Sequence, residues 1–247
     1  MSFFEDIARK VRGWFLSRGY TCDGCGVEIF DYPKHRLCEN CEEAMSLNDK
    51  RVCEKCGRET VAEGICLSCK SRLPRFTKGF SPFVYRGESA SLVNRLKNGN
   101  PVLSVYFGER IAEYFLERVE KEPFLIIPVP LTKLRERERG YNQAEALARA
   151  VCLKMQEQGV SCECRTDILQ KNKDTAPQKK MGYGKRMENV AGAYHVHKRK
   201  DCRGCTVLLI DDIMTTGATG SECAARLLSA GAEKVYFLTA VALAEQR

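Results

Sequence analysis

The chain has 247 residues, of which 44% are hydrophobic and 29% charged, with a formal net charge of +8. That length holds one substantial domain and a small one, and the balance is that of a globular protein rather than a disordered chain. No stretch approaches the ~20 apolar residues of a membrane span, and the N-terminus interleaves Phe3, Phe4, Ile7 and Val11 with Glu5, Asp6, Arg9, Lys10 and Arg12 instead of presenting the apolar core of a secretory signal. A cytoplasmic location is therefore expected.

The positive charge is unevenly placed. Residues 1–75 carry 13 basic and 12 acidic side chains, whereas residues 165–200 carry 10 basic and 3 acidic. A polyanion or a pyrophosphate suits such a segment, although charge runs also occur as solvated loops.

Residues 2–18 read as an amphipathic helix, with Phe4, Ile7, Val11, Trp14 and Phe15 at spacings of three and four. The first unit, residues 1–20, is expected to pack this stripe on the rest of the protein. Arg9, Lys10, Arg12 and Arg18 on the polar face leave peripheral contact with a membrane surface as the alternative.

Residues 21–72 form the second unit. Eight of the fourteen cysteines fall here in four CxxC pairs: Cys22 and Cys25, Cys38 and Cys41, Cys53 and Cys56, Cys66 and Cys69. Each pair makes a knuckle that offers two thiolates to one ion, and two knuckles complete a tetrahedral set. Gly26 and Gly57 directly follow a knuckle and permit its turn. Zinc fits this ribbon spacing better than an iron–sulfur cluster, and a closed four-thiolate site is structural. The spacing admits two consecutive sites, an interleaved pair or a single occupied site. The segment has little core of its own, so a metal would supply much of its folding free energy.

Residues 70–79, with Pro74 and Gly79, read as a linker to a third unit over residues 79–247. A strand is expected at 80–85, helices at 89–97 and from about 103 to 119, and a second strand at 124–129. Lys133, Arg135, Arg137 and Arg139 lie just past that strand. They suit a phosphate role, or equally ion pairs with Glu136 and Glu138 on a solvent face. A helix follows Asn142 and Gln143 to about 158. Strands are expected at 160–169 and 193–196, separated by a Lys-, Gly- and Pro-rich functional loop over 170–188. Cys152, Cys162, Cys164, Cys202, Cys205 and Cys223 read as structural or incidental, and His195 and His197 lack the nearby acids that ligand roles call for.

The most informative stretch is 207–232. Val207, Leu208, Leu209 and Ile210 form a short apolar run of the kind a parallel strand covered on both sides requires. Asp211 and Asp212 sit where that strand is expected to end. Thr215, Thr216, Gly217, Ala218 and Thr219 then turn into a helix bearing Ala224, Ala225, Leu227 and Leu228, with Gly231 as terminator. A loop of small residues entering a helix N-terminus is an anion site, because free N–H groups and the helix dipole point the same way. Two carboxylates before such a cradle suit a ribose diol beside a phosphate. Residues 235–243 supply a last strand.

With these residues in hand, the chain resembles the ComF/GntX family over nearly its whole length. The CxxC pairs are similar to that family's zinc region. The stretch IIPVPLTKLRERERGYNQ resembles its PVPL and RG-[FY]-NQ block. Thr175, Gln178, Arg186, Asn189, Val190, Ala193 and Tyr194 resemble its T…Q…R-x-x-NV…A-[FY] block, and LLIDDIMTTGAT resembles its phosphoribosyl motif.

The resemblance implies an α/β fold of the type I phosphoribosyltransferase kind: a parallel sheet flanked by helices, preceded by a small cysteine-rich zinc-ribbon module. It implies phosphoribosyl pyrophosphate or ribose 5-phosphate as ligand, Mg2+ with the diphosphate, and structural Zn2+ on the eight paired cysteines. Asp211 and Asp212 would be the catalytic pair and Thr215 to Thr219 the phosphate cradle. Pro130, Arg139, Asn142 and Gln143 would stand at the pyrophosphate, and Gln178, Arg186 and Asn189 on a basic loop that closes over it. The family link is to DNA uptake in natural competence, with single-stranded DNA and a competence helicase as expected partners. The alternative is an active phosphoribosyltransferase of nucleotide or nucleoside metabolism.

Overall fold

The computed structural model describes residues 20–29, 35–172, 192–197 and 199–245. The expected helix over 2–18 and Gln178, Arg186 and Asn189 lie outside them. The N-terminal third contains β1 (Tyr20–Thr21), β2 (Glu28–Ile29), α1 (Glu39–Glu43) and α2 (Leu67–Ser71). Then come β3 (Lys78–Phe80), β4 (Phe83–Val84), α3 (Gly87–Lys97), α4 (Leu103–Leu116), β5 (Phe124–Pro128), α5 (Lys133–Arg139) and α6 (Gln143–Glu157). The chain continues with β6 (Cys162–Cys164), β7 (Leu169–Lys171), β8 (Tyr194–Val196), β9 (Thr206–Met214), α7 (Ala218–Ser229) and β10 (Lys234–Ala242).

The centre is a six-stranded sheet in the order β3-β10-β9-β5-β6, with β4 also on β10. Its pairings are all parallel, as expected of short apolar strands alternating with helices. Strand periodicity sorts the core into two faces. Ile126, Leu208, Ile210, Leu238 and Ala240 share one cluster with Leu92, Phe107, Ile111, Leu147 and Val151 of α3, α4 and α6. Leu125, Ile127, Val207, Leu209, Val235 and Phe237 share the other with Ala218, Ala224 and Leu227 of α7. Burying each such large apolar side chain contributes roughly 1.5–3 kcal/mol.

Three local expectations are redrawn by tertiary contacts. The strand at 80–85 divides at Ser81 and Pro82, where Ser81 Oγ and Thr239 Oγ1 share a 2.6 Å hydrogen bond. The strand at 160–169 divides at Arg165, which pairs with Asp167 at 2.9 Å and Asp201 at 2.8 Å. β9 does not stop before the acids. Parallel pairing to β10 carries it through to Met214, opposite Ala242.

Residues 70–79 are not a spacer between separate bodies. Phe76 is fully buried and packs on Phe237 with ring centroids 5.3 Å apart, while Thr77 N–H donates to Val235 O at 2.7 Å. The cysteine-rich part joins the same cores. Cys22, Leu37, Cys41 and Met45 extend the α3–α4 face, and Cys53, Cys56, Cys66 and Cys69 extend the α7 face.

Candidate functional site

A cleft of about 550 Å³ opens at the C-terminal ends of β5, β9 and β10, where open parallel α/β sheets bind their ligands. Asp211, Asp212, Thr215, Gly217, Ala218 and Thr219 line it. Neighbouring strand residues point to opposite faces, so the two acids enter by different routes. Asp212 lies on the α3 side and is 3% exposed; its Oδ2 stands 3.2 Å from Lys97 Nζ yet accepts no hydrogen bond. Its Oδ1 accepts the Ile213 N–H at 2.8 Å. Asp211 lies on the α7 side, and its Oδ1 accepts the Asp212 N–H at 2.9 Å. Burial, and then the neighbouring Asp212 charge, hold the Asp211 carboxyl well above the ordinary carboxylate range.

The loop after β9 is shaped by Gly217, whose φ of 77° lies in the left-handed region where glycine is favoured. No side chain caps α7 at that residue. Thr216 Oγ1 accepts the Ala218 N–H at 3.3 Å, so its hydroxyl serves the turn. Gly220 makes the helix entry tight, since a Cβ there would meet the Phe237 ring at 2.5 Å.

The opposite wall comes from the turn between α5 and α6. Thr132 caps α5 by accepting from Arg135 N–H, and Gly140 ends it with a φ of 81°. Asn142 Oδ1 accepts the Ala144 N–H at 3.0 Å, capping α6, and its Nδ2 donates to Val129 O at 3.2 Å. Asn142 is thus spent on placing the turn. Arg135, Arg139, Gln143 and Pro130 line the cleft, with Arg139 Nη1 donating to Gln143 Oε1 at 3.0 Å.

Sequence patterning does not single out several cleft residues. Tyr85, just after β4, and Asn94, Lys97 and Asn98, on and just after α3, line it. Lys171 of β7, from the basic stretch, and Tyr194 of β8, from the matched block, join them. The available signal was the i, i+3, i+4 polar set Asn94, Lys97 and Asn98 on a helix that also buries Leu92, Val93 and Leu96. Four cationic side chains, Lys97, Arg135, Arg139 and Lys171, therefore face the two acids and the small-residue loop.

A further buried cation ties this loop to the cysteines. Arg58 is 6% exposed. Its Nη2 donates to Thr215 O at 2.7 Å and its Nε to Cys56 Sγ at 3.2 Å. The eight paired cysteines form two consecutive sets, Cys22/Cys25/Cys38/Cys41 and Cys53/Cys56/Cys66/Cys69, and each set could hold a metal ion. Tetrahedral thiolates ~2.3 Å from zinc stand roughly 3.8 Å apart. The Cys25–Cys38 and Cys56–Cys66 sulfurs are each 3.7 Å apart, which fits. Backbone N–H groups of Cys38 and Cys66 donate to Cys22 and Cys53 Sγ at 3.3 Å, as suits thiolate sulfur. Elsewhere, Cys152 and Cys162 sulfurs touch at 3.6 Å.

The family model for the phosphoribosyl transferase domain matches residues 108–247. Curated relatives extend the likeness upstream. Competence protein ComFC of Bacillus subtilis is 26% identical over 206 residues, 81% of this chain and 80% of that protein. Competence protein F of Haemophilus influenzae is 26% identical over 245 residues, 95% of this chain and 96% of that protein. DNA utilization protein YhgH of Escherichia coli K12 is 26% identical over 215 residues, 81% of this chain and 87% of that protein. The chain belongs to the ComF family, with a phosphoribosyl transferase domain as its C-terminal part. The domain match begins after Tyr85, Asn94, Lys97 and Asn98, and none of the described residues forms a helix long and apolar enough to cross a membrane.

Proposed function

We propose that this protein binds phosphoribosyl pyrophosphate or ribose 5-phosphate in the cleft and serves DNA uptake in the cytoplasm. The observation that carries the reading is the convergence of Asp211, Asp212, Thr215, Gly217, Ala218 and Thr219 with Lys97, Arg135, Arg139 and Lys171 around one cleft. The loop N–H groups and the α7 dipole receive the 5-phosphate. Asp211 and Asp212 accept hydrogen bonds from the ribose hydroxyls, and the cations balance a pyrophosphate. The donor set also suits Mg2+, because Asp212 Oδ2 is buried with no hydrogen bond and meets the Lys97 ammonium at 3.2 Å, a cation the ion would replace. Bound there, the ion would neutralise ligand phosphate oxygens. Zinc would fill both cysteine sets and stabilise the N-terminal fold. Single-stranded DNA and a helicase are the partners this reading assigns, since the relatives are named for competence and DNA utilization.

Transfer to an acceptor is the second reading. Tyr85 and Asn94, joined by a 2.9 Å hydrogen bond, and Asn98 give the cleft a polar wall beyond the acids that could receive an acceptor.

Calorimetric titration of phosphoribosyl pyrophosphate with Mg2+ tests the binding. Wild type should bind, and Asp212→Asn should lose about tenfold to a hundredfold in affinity, the worth of one charge-assisted hydrogen bond. No binding by wild type, or equal binding by the variant, overturns the reading. Pyrophosphate release across a panel of bases separates transfer from binding alone.

A further inference from the structure

The second cysteine set is seated against the phosphate loop by a continuous series of contacts. Gly57 and Gly79 pass so closely that a Cβ on Gly57 would lie 2.2 Å from Gly79 O, and one on Gly79 2.4 Å from Cys56 O. Gly79 N–H donates to Lys55 O at 2.8 Å. Asn48 Nδ2 donates to both Gly57 O and Ser81 O, at 2.7 and 2.9 Å. Downstream of the set, Arg75 N–H donates to Ser221 Oγ in the first turn of α7, at 3.0 Å.

Arg58 crosses this junction. Its own carbonyl accepts the Cys53 N–H at 2.8 Å, so its backbone is part of the knuckle. Its guanidinium, buried almost completely, holds a cysteine sulfur with one nitrogen and a loop carbonyl with another. No peptide bond in the described structure is cis. In a planar trans peptide the C=O and N–H point in opposite directions. With the Thr215 carbonyl held by Arg58, the Thr216 N–H must point away from the cysteines. Were the peptide to flip, the hydrogen bond from Arg58 would be lost and the turn leading into Gly217 and Ala218, which line the cleft, would change course.

We propose that Arg58 is a positioning residue that makes the Cys53/Cys56/Cys66/Cys69 set part of the phosphate-binding device. It fixes the Thr215–Thr216 peptide, and with it the path of the loop whose Thr215 and Gly217 line the cleft. A metal ion in that set and a phosphoribosyl ligand in the cleft then stabilise each other, an inference that rests on the reading of the cleft given above. A metal ion in the set fixes the place of the Cys56 sulfur, and with it the guanidinium that donates to that sulfur and to the Thr215 carbonyl. The coupling is reciprocal by linkage. The Cys22/Cys25/Cys38/Cys41 set meets α3 and the turn after it instead, through Arg95 Nη1 to Asp23 O and Asn100 Nδ2 to Asp23 Oδ1 at 2.9 Å, and it serves as an internal control.

The test uses the full zinc-loaded chain. Zinc is titrated away at equilibrium with a chromogenic chelator, with and without saturating ribose 5-phosphate, and ligand affinity is measured by calorimetry. In wild type the ligand should raise the zinc affinity of one site of the two by about fivefold or more, the lower range of known couplings. Arg58→Gln should retain both zinc ions, bind ribose 5-phosphate about tenfold more weakly, and lose the ligand's effect on zinc. Arg58→Lys should recover part of it, because an ammonium can still reach one partner. The proposal is overturned if wild type binds ribose 5-phosphate with no change at either zinc site. It is also overturned if zinc-replete Arg58→Gln binds as wild type does. Should Arg58→Gln fail to hold zinc, the wild-type competition decides alone. Absence of any ligand heat in wild type instead removes the reading of the cleft, and this inference with it.

Discussion

Asp211 and Asp212 are adjacent in sequence and unlike in environment. Asp212 is buried with Lys97 as counter-charge, whereas Asp211 is desolvated and beside a like charge, which favours its neutral form. A raised folded-state pKa means that this group's stabilising contribution is complete below the unfolded carboxylate value, near 3.8, and is lost as pH rises through the folded one. Asp211→Asn should therefore stabilise the ligand-free protein at neutral pH by on the order of 1 kcal/mol, and the gain should vanish towards pH 3 in urea melts taken across pH. The same variant should bind phosphoribosyl pyrophosphate more weakly, a stability cost kept for function. Lys97→Met leaves the buried Asp212 carboxylate without its cation and should destabilise by roughly 1–3 kcal/mol. Adding Asp212→Asn should recover most of that loss, and a double-mutant cycle in urea measures the coupling. Neither assignment is available from the DD pair alone. Which acid meets a cation depends on which face of the sheet α3 covers.

The helices and strands were largely legible because their signals are local. α7, α6 and α4 follow the 3.6-residue apolar period, and β5 and β9 are apolar runs bounded by turn residues. What was not legible was where strands stop, since β9 is lengthened by pairing with β10 and the strand at 80–85 is cut by a side-chain bond to Thr239. The ERER run after β5 reads equally as a phosphate loop or a charged helix. It folds as α5, with Arg135 pairing to Glu138 at 3.7 Å while also lining the cleft. The α4–α6 contact turns on Gly108, where a Cβ would stand 2.4 Å from Ala150 Cβ. Gly108→Ala should cost about 1–3 kcal/mol by overpacking, and Gly108→Ala with Ala150→Gly should recover part of it. Thermal melts of the three proteins check this pair.

The cysteine-rich segment extends both cores instead of standing apart from them. One cysteine set joins each face of the sheet, and Glu245 reaches back after β10 to accept the Leu67 N–H at 2.7 Å. A chain starting at residue 73 should accordingly expose apolar surface and lose cooperative unfolding, even though the domain match begins at 108. Expression of residues 73–247 followed by a denaturant titration tests this. A sharp two-state transition with the full chain's midpoint would show the segment to be dispensable. Metal removal should act unevenly for the same reason. Cys25 is exposed whereas Cys53 is fully buried, so Cys53→Ser should lower the melting temperature more than Cys25→Ser.

By itself the sequence determined the parts whose chemistry lies within a few residues: the CxxC knuckles, the acids followed by TTGAT, the RGYNQ turn and the alternation of strand and helix. Each is set by bond geometry and hydrogen bonding over one turn or one strand, so its residues carry the whole signal. The tertiary structure alone decided which distant groups meet. The order β3-β10-β9-β5-β6 brings Lys97 to Asp212 and seats Arg58 against Thr215, 157 positions along the chain. Such pairings follow from sheet order and face coverage, which depend on packing the whole apolar pattern at once. No local motif encodes them.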